Sequence, residues 1–323
     1  MKLLSFVIPC YRSEKTIEKV IDEIIRTVAE KKEYDYEIIC VNDCSPDNVY
    51  EVLKKLAAEN KKIKVVNFVR NMGKPAAVLA GYSAVRGEYV VNLDDDYQCP
   101  TYELWKLLEP LENDACDVTS AIYYDKKESG IKRAGSRVNS KMTEILIDKP
   151  KDIYLDNFYV MKRFVADEMV KYKHAFPYIY GLILRVTHRI QNVYMEQRER
   201  DDGNKSGYTF IKSFKMLING LTAFSVKPLR IATVCGFLFA LIGFIYGIII
   251  IIKKIVSSSA PLGYSSLMVV LLVASGIIMM ILGLIGEYIG RIYICINASP
   301  QYIIRNTINL EEAEKNGNHG IEE

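Results

Sequence analysis

Apolar and polar residues alternate in blocks along the first hundred positions of the chain. Short apolar runs are followed by segments in which apolar residues recur at every third or fourth position, the pattern of strands alternating with amphipathic helices. The first such helix is predicted to be capped by Ser13 and to run through Ile25. The predicted strands are residues 3–9, 36–41, 63–68 and 89–93, and the later predicted helices are residues 49–58 and 74–85. This alternation predicts a doubly wound α/β domain with a parallel sheet.

The pattern is less regular over the next hundred residues. It predicts a helix at residues 104–111, a strand at residues 118–123, and a charged loop leading into a helix at residues 125–141. From Phe210 to Phe224 apolar positions again recur at three and four residues, with Lys212 and Lys215 between them. This spacing predicts an amphipathic helix along a lipid interface, or one packed on the preceding domain.

Two long uncharged runs follow, at residues 231–252 and 267–286. At about 1.5 Å of rise per residue each would span about 30 Å, the thickness of a bilayer core. Two buried core helices are the alternative. More basic residues flank the two runs than lie between them. Lys253 and Lys254 lie between the runs, and the flanking residues are Lys212, Lys215, Lys227, Arg230, Arg291 and Arg305. The positive-inside rule therefore predicts a multi-pass protein of the cell inner (cytoplasmic) membrane, its main domain cytoplasmic.

The composition agrees with a membrane setting and disfavours several other classes of protein. The chain has 323 residues, 50% of them hydrophobic, and a mean hydropathy of +0.06. The seven cysteines form no CxxC pair, so we expect reduced thiols, and with three histidines a zinc site is not expected. A net charge of +3 without a basic stripe gives no indication of nucleic-acid binding. No signal peptide is expected at the N-terminus, since residues 3–9 are too short for an apolar h-region.

Three consecutive carboxylates close the apolar strand at residues 89–93. If the backbone stayed extended, Asp94, Asp96 and Gln98 would lie on one side and Asp95 on the other. The first set has the ligand types that a hard divalent cation prefers, and a solvated acidic turn is the alternative. Polar segments also follow two other strands, at residues 9–13 and 42–47, and would converge with this one at the carboxyl edge of the sheet.

A nucleotide-diphosphate ligand would need a base pocket and a cation at such an edge. Asp43 could accept a hydrogen bond from a base or hydroxyl group, and a metal at Asp94 and Asp96 would neutralise a leaving diphosphate. The sequence has neither a Walker lysine loop nor a GxGxxG segment, so ATPase and dinucleotide functions lose support.

Eight segments in register give the chain a resemblance to the family 2 glycosyltransferases of GT-A fold. Within that family it is similar to the polyprenyl-phosphate sugar transferases, such as the bactoprenol glucosyltransferases and dolichol-phosphate mannose synthase. The segments are residues 7–14 (VIPCYRSE), 41–47 (VNDCSPD), 70–74 (RNMGK), 80–84 (AGYSA), 93–98 (LDDDYQ), 206–208 (SGY), 224–230 (FSVKPLR) and 286–293 (GEYIGRIY). The resemblance implies a GT-A Rossmann-like domain with interfacial amphipathic helices and two C-terminal transmembrane helices.

The resemblance also implies a role for each matching residue. The residues implied to bind the nucleotide-sugar donor are Pro9, Tyr11, Glu14, Asp43, Lys74 and Asp95, and those implied to bind Mg²⁺ or Mn²⁺ are Asp94, Asp96 and Gln98. The basic side implied to bind the phosphate of the polyprenyl acceptor consists of Lys132, Arg133, Arg137, Arg200, Lys205 and Ser206. Asp156 stands where the family has an Asp after a Gly, although Leu155 precedes it here. The spacing from Gly203 to Ser206 is one residue longer than usual.

These roles predict the transfer of a hexose, with inversion at the anomeric carbon, from a nucleotide sugar to polyprenyl (undecaprenyl) phosphate. The resemblance implies that the nucleotide is UDP. The acceptor phosphate has a second pKa of about 6, so at neutral pH it needs no strong general base. The catalytic work falls to the metal ligands Asp94 and Asp96 and to the basic residues Arg133 and Arg200, with Asp156 orienting the basic residues.

The predicted organisation has four parts: a catalytic domain at residues 1–208, an interfacial helix at 209–228, a two-helix membrane domain at 229–296 and a cytoplasmic tail at 297–323. We expect the partners to be the nucleotide sugar, polyprenyl phosphate, the lipid bilayer and a second copy of the chain in a homo-oligomer. Three alternatives remain: a processive polysaccharide synthase, an inactive nucleotide-sugar-binding protein and a two-span channel or flippase component.

Overall fold

The computed structural model describes residues 1–123, 150, 153–174, 177–196, 198, 264–296 and 300–310, with isolated helical positions between 229 and 252. Within the ranges 1–214 and 299–323 the described residues belong to one compact unit, and those of 215–298 belong to a second. The first unit contains every candidate site residue that the structure describes.

Strands and helices alternate through the first hundred residues, as the sequence predicts. In chain order they are β1 (Lys2–Cys10), α1 (Ile17–Ala29), β2 (Tyr34–Asn42), α2 (Val49–Glu59), β3 (Ile63–Phe68), α3 (Lys74–Tyr82) and β4 (Tyr89–Asn92). β1, β2, β3 and β4 form the parallel centre of the sheet, in the order β4-β1-β2-β3. The prediction of a parallel α/β sheet is therefore confirmed for this half.

The first helix begins differently from the prediction. Its first residue is Ile17 and its N-cap is Thr16, without a capping hydrogen bond from a side chain. Ser13 contributes its backbone carbonyl, which accepts hydrogen bonds from the backbone N–H groups of Thr16 (3.1 Å) and Ile17 (3.0 Å). The predicted Ser13 cap is therefore wrong, because the chain makes a tight turn between Ser13 and the helix.

The second half of the sheet is mixed. After a 3₁₀ turn (Thr101–Glu103) come α4 (Leu104–Glu112), β5 (Val118–Tyr123), β6 (Tyr159–Lys162), α5 (Arg163–Val170), α6 (Ile179–Val186) and β7 (Ile190–Met195). β6 pairs antiparallel with both β4 and β5, and β7 lies parallel to β5 at the edge. The sequence predicts a parallel sheet from the first hundred residues, and the complete sheet is mixed because β6 runs in the opposite direction.

A last strand, β8 (Ile304–Ile308), lies at the other edge of the sheet and pairs antiparallel with β3. The sequence analysis assigned these residues to a tail and did not predict a strand. Their pattern explains why: three of the five residues are exposed, so the strand has no apolar face to reveal it. The ring of Tyr302, just before β8, stacks on Phe68 at 5.4 Å between ring centroids.

One long apolar helix, α7 (Tyr264–Ile296), belongs to the second unit. Its segment Ala274–Ile296 is long and apolar enough to cross a membrane, and it is the one such helix among the residues that the structure describes. The predicted span at residues 267–286 lies within α7. Most of the other predicted span, at 231–252, lies outside the described residues, as do the predicted helix at 210–224 and the charged stretch at 125–141.

Candidate active site

The carboxyl ends of β1, β2 and β4 are joined by hydrogen bonds. The backbone N–H of Tyr11, after β1, donates to Asp95 Oδ2 at 2.8 Å. The hydroxyl of Thr16 donates to the Asp95 carbonyl at 2.6 Å. Between β1 and β2, the backbone N–H of Arg12 donates to Ser45 Oγ at 2.7 Å. The predicted convergence of the three polar segments is thus confirmed.

The predicted donor-binding residues on β1 and its loop have different environments. Pro9 is buried within the strand. Tyr11 is 43% exposed, and its ring faces the Arg12 guanidinium at 5.5 Å. Glu14 accepts a hydrogen bond from the backbone N–H of Asn48, the N-cap residue of α2, at 2.9 Å. Of these residues, Tyr11 is the one that presents a large surface to a ligand, whereas Glu14 joins two loops.

Asp43 holds the loop between β3 and α3. Its two carboxylate oxygens accept hydrogen bonds from the backbone N–H groups of Met72 (2.6 Å) and Gly73 (2.9 Å). Gly73 has a φ of +87°, a conformation that favours glycine. Burial raises the pKa of Asp43, and the two N–H donors partly oppose that effect. The structure therefore gives Asp43 a bracing role beside Lys74, and its contact with a nucleoside stays a prediction.

The acidic segment after β4 is a turn. The strand ends at Asn92, and Tyr97 adopts a left-handed φ of +62°. The backbone is therefore not extended through Gln98, and the prediction that strand alternation separates Asp95 from Asp94, Asp96 and Gln98 is wrong. Asp94 and Asp95 nevertheless contact different parts of the fold: Asp95 contacts the loop after β1, and Asp94 contacts α3 and the chain before β6.

Asp94 is held by two donors from distant parts of the chain. Lys74 Nζ donates to its Oδ1 at 2.5 Å, and Asn157 Nδ2 donates to its Oδ2 at 3.0 Å. Burial alone would lower the pKa of Lys74, but the charge and hydrogen bond of Asp94 outweigh it, so that this pKa is raised. The Lys74 side chain is therefore a cation placed directly at the acidic turn.

Asp95 has a different electrostatic environment from Asp94. Burial raises its pKa to about 6, and the neighbouring charges of Asp94 and Asp96 act in the same direction. The N–H of Tyr11 opposes the shift. Asp95 is thus held by the loop after β1, and its predicted contact with the nucleotide-sugar donor stays a prediction.

The predicted metal ligands consist of two carboxylates and one amide. The backbone N–H of Gln98 donates to Asp96 Oδ1 at 3.2 Å, which keeps Asp96 and Gln98 together within the turn. In the described part of the chain, no three or more His, Cys, Asp and Glu side chains are grouped as a metal site. Oxygen donors of this kind suit Mg²⁺ or Mn²⁺, and Asp94 already faces a positive charge from Lys74. The residues therefore fit a hard cation, and ligation itself stays a prediction.

Asp156 is adjacent to Asn157, the residue that contacts Asp94. Its backbone N–H donates to Ser120 Oγ at 2.9 Å, and its Oδ1 accepts from the backbone N–H of Asn157 at 2.7 Å. Tyr180 on α6 donates its hydroxyl to Asn157 Oδ1 at 2.9 Å. Asn157 thus connects Tyr180 to Asp94.

Two of these residues were missed by the sequence analysis. Asn157 is adjacent to the predicted Asp156, which is a usable signal, but nothing in the sequence distinguishes Tyr180 from the other tyrosines. The predicted acceptor residues lie outside the described residues, so their positions stay predictions. They are Lys132, Arg133, Arg137, Arg200, Lys205 and Ser206.

A parallel-centred α/β sheet with an acidic turn at its carboxyl edge is the arrangement expected of a glycosyltransferase of GT-A fold. The chain belongs to glycosyltransferase family 2. Residues 5–170 match the family model described as "Glycosyl transferase family 2", and residues 227–292 match the one described as "GtrB C-terminal hairpin". The protein is therefore a glycosyltransferase enzyme, as the resemblance implies.

Relatives match along almost the whole chain. It is 32% identical over 308 residues to the uncharacterized glycosyltransferase YkcC of Bacillus subtilis (strain 168), covering 95% of this chain and 94% of the relative. It is 27% identical over 316 residues to the undecaprenyl-phosphate 4-deoxy-4-formamido-L-arabinose transferase of Proteus mirabilis (strain HI4320), covering 97% and 96%.

Solved structures support the fold. Glucosyl-3-phosphoglycerate synthase from Mycobacterium tuberculosis, in complex with uridine diphosphate, aligns with a TM-score of 0.51 at 19% identity, covering 67% of this chain and 76% of that one. The same enzyme with Mn²⁺, UDP-glucose and phosphoglyceric acid aligns with a TM-score of 0.50 at 20% identity and the same coverage. At this identity the likeness shows the GT-A fold alone.

Proposed function

We propose that this glycosyltransferase transfers a hexose from a nucleotide sugar, with UDP as the nucleotide, to polyprenyl (undecaprenyl) phosphate. The product would be a polyprenyl-phosphate sugar for modification of cell-envelope glycans. The observation that carries the proposal is the full-length similarity to an undecaprenyl-phosphate sugar transferase, which extends through both the catalytic region and the C-terminal hairpin. An acceptor with a polyprenyl tail lies in a bilayer, and a long apolar helix is suited to hold the enzyme there.

The donor side of the site is proposed to use the acidic turn. Asp94, Asp96 and Gln98 would hold Mg²⁺ or Mn²⁺, which when bound would stabilise the negative charge of the leaving diphosphate. Lys74 adds a second cation at 2.5 Å from Asp94. The exposed ring of Tyr11 is available to stack on a base. The loop that Asp43 braces keeps Lys74 at the start of α3.

The acceptor side is proposed to depend on charge. Attack by a phosphate dianion on a sugar that carries a diphosphate brings two anions together, so cationic side chains lower the barrier. Lys132, Arg133, Arg137, Arg200, Lys205 and Ser206 are the proposed phosphate-binding residues. The attack would be in line, with inversion at the anomeric carbon. Asp156 would orient basic residues instead of removing a proton, since the acceptor is already ionised at neutral pH.

The proposed setting is the cytoplasmic membrane, with two spans, a cytoplasmic catalytic domain and a homo-oligomeric assembly. The apolar segment Ala274–Ile296 and the match to the C-terminal hairpin support a membrane location. The second span, the orientation and the assembly rest on the sequence pattern.

A reconstitution experiment tests the function. The purified full-length chain is incubated in detergent with undecaprenyl phosphate and single UDP- or GDP-linked sugars, with and without EDTA, and lipids are analysed by mass spectrometry. The panel includes UDP-linked pentoses, because the Proteus relative is named for an arabinose derivative. We expect one hexose donor to give a glycolipid, and EDTA and Asp94→Asn to abolish it. Transfer to a glycan or protein with none to lipid phosphate would refute the proposal.

A further inference from the structure

One arginine outside the predicted site, in the segment after the edge strand β7, contacts the acidic turn. Arg198 follows β7, and its guanidinium lies 4.1 Å from the ring centroid of Tyr97 and 5.4 Å from that of Tyr102. Its Nη1 also approaches the Tyr97 carbonyl at 3.4 Å. A planar guanidinium suits this arrangement, because it can stack on a ring and donate hydrogen bonds at its edge.

Glu23 on α1 completes the cluster. Its Oε2 accepts from Arg198 Nη1 at 2.8 Å, while its Oε1 accepts from the backbone N–H of Thr101 at 3.1 Å and from the Thr101 hydroxyl at 2.5 Å. Burial alone would raise the pKa of Glu23, but the hydrogen bonds from Arg198, Thr101 and Tyr97 outweigh it and lower this pKa. The carboxylate therefore stays ionised at neutral pH and keeps its partners together.

The cluster acts on a residue whose backbone is strained. Tyr97 holds a φ of +62°, in a region that a bulky residue rarely adopts and that requires support from its surroundings. Its ring lies between Arg198 and Lys19, which is 5.9 Å from the ring centroid. Arg198 thus supports the turn that carries Asp94 and Asp96.

We propose that Arg198 is a positioning residue that fixes the acidic donor turn relative to the segment after β7. Arg200, which the resemblance assigns to the acceptor phosphate, comes two positions later in the sequence, so the same residue anchors the chain just before it. This inference rests on the proposed function. Arg198 touches neither substrate in this account. It fixes the turn that carries Asp94 and Asp96, and a misplacement of about 1 Å can cost about a hundredfold in rate.

Kinetics of Arg198 variants test this role. Arg198→Gln removes the charge and the stacking, Arg198→Lys keeps the charge that pairs with Glu23, and Arg163→Gln is the matched control in an exposed ion pair with Asp167. We expect Arg198→Gln to lower kcat for transfer to polyprenyl phosphate by about 10- to 100-fold. The KM for the lipid and the Kd for UDP with Mn²⁺ should each change less than about threefold, because each region still binds its own ligand. Arg198→Lys should recover part of kcat, and the control should match the wild type.

The outcomes separate this inference from the proposed function. An unchanged kcat in Arg198→Gln, or a change confined to KM or Kd, overturns the positioning role. A Kd measurement on each variant shows whether the UDP site is intact. If Arg198→Gln loses UDP binding together with activity, the substitution has disrupted the fold, and this result also counts against the inference. If the wild-type protein makes no glycolipid at all, the proposed function has failed instead.

Discussion

Asp94 joins two distant parts of the candidate site. Lys74 reaches it from α3, and Asn157 reaches it from the chain before β6. Asn157 is in turn held by the Tyr180 hydroxyl and, through its backbone carbonyl, by Asn92 Nδ2 at 2.7 Å. The orientation of this carboxylate is thus set by Lys74 and by Asn157, and the two residues that hold Asn157, Tyr180 and Asn92, touch no substrate in our account.

Tyr180→Phe tests this arrangement. The change removes the hydroxyl that orients Asn157 and leaves the ring in place. One such hydrogen bond is worth about 0.5–1.5 kcal/mol, so we expect turnover to fall by about threefold to tenfold and the unfolding temperature to fall by only a few degrees. Steady-state kinetics with undecaprenyl phosphate measure it. Tyr178→Phe, two residues earlier on the chain, is the control, and an equal loss in both variants would contradict the role of the Asn157 bond.

The site residues that the sequence predicts lie in contiguous motifs, whereas those that it misses depend on contacts between distant parts of the chain. The acidic turn and Lys74 belong to short contiguous motifs, so the sequence reveals them. Arg198 and Glu23 lie 175 positions apart, and their pairing depends on how α1 and β7 come together. A single sequence carries no signal for such a contact.

At the scale of elements, α3 packs unusually close to the sheet. A Cβ on Gly81 would lie 2.3 Å from Val7 Cγ1 and 3.4 Å from Val41 Cγ2. The helix therefore needs glycine at this point to lie against β1 and β2. Because α3 carries Lys74 at its first residue, this packing sets the depth of the Lys74 ammonium group at the acidic turn.

Gly81→Ala should destabilise the fold. Overpacking of this kind costs about 1–3 kcal/mol, and the variant should unfold several degrees below the wild type in a thermal scan. Gly276→Ala in α7 is the matched control, because among the residues that the structure describes its added Cβ meets nothing within 4 Å. Equal unfolding temperatures for Gly81→Ala and wild type would show that α3 packs less closely than described.

The edge strand β8 gives the C-terminal segment a structural role. Asn67 Nδ2 donates to Asn306 Oδ1 at 2.9 Å, and the backbone N–H of Val69 donates to the Ile303 carbonyl at 2.9 Å. β3 leads directly into the loop that Asp43 braces. The chain that leaves the apolar helix α7 is thus paired to a strand of the donor side.

Tyr302→Ala tests the importance of this pairing. The loss of the stack on Phe68 should cost at least about 0.5–1.5 kcal/mol, beyond the apolar area it uncovers. We expect a lower unfolding temperature of the full chain in detergent, and weaker binding of UDP by calorimetry if the strand supports the donor loop. Tyr194→Ala, at an exposed position on β7, serves as the control. If Tyr302→Ala unfolded at the wild-type temperature, the stack on Phe68 would not contribute to the stability of the fold.

The central strands were predictable because their residues form continuous apolar runs, buried on both faces. β3 and β5 match their predicted bounds, and β1, β2 and β4 differ at their ends. β8 could not be predicted because its sequence, IRNTI, pairs with β3, a strand more than 230 positions earlier in the chain. The direction of β6 was likewise hidden, since the strand pattern does not encode the direction of pairing.

At the scale of the whole molecule, the chain combines a GT-A glycosyltransferase fold with a C-terminal region that matches the GtrB C-terminal hairpin and contains the apolar helix α7. The family, the enzyme class and the fold are established by the matches along the chain. The proposed acceptor explains why such an enzyme would carry an apolar C-terminal region, because a polyprenyl phosphate lies in a bilayer.

The most direct test is the fate of the acceptor phosphate, followed by ³¹P NMR while the wild-type protein consumes its sugar donor. We predict that the monoester signal of undecaprenyl phosphate, which titrates with a pKa of about 6, is replaced by a phosphodiester signal that does not titrate in that range. The diester should appear in step with release of the nucleoside diphosphate, and not with Asp94→Asn. Release of the diphosphate while the lipid remains a monoester would contradict the account.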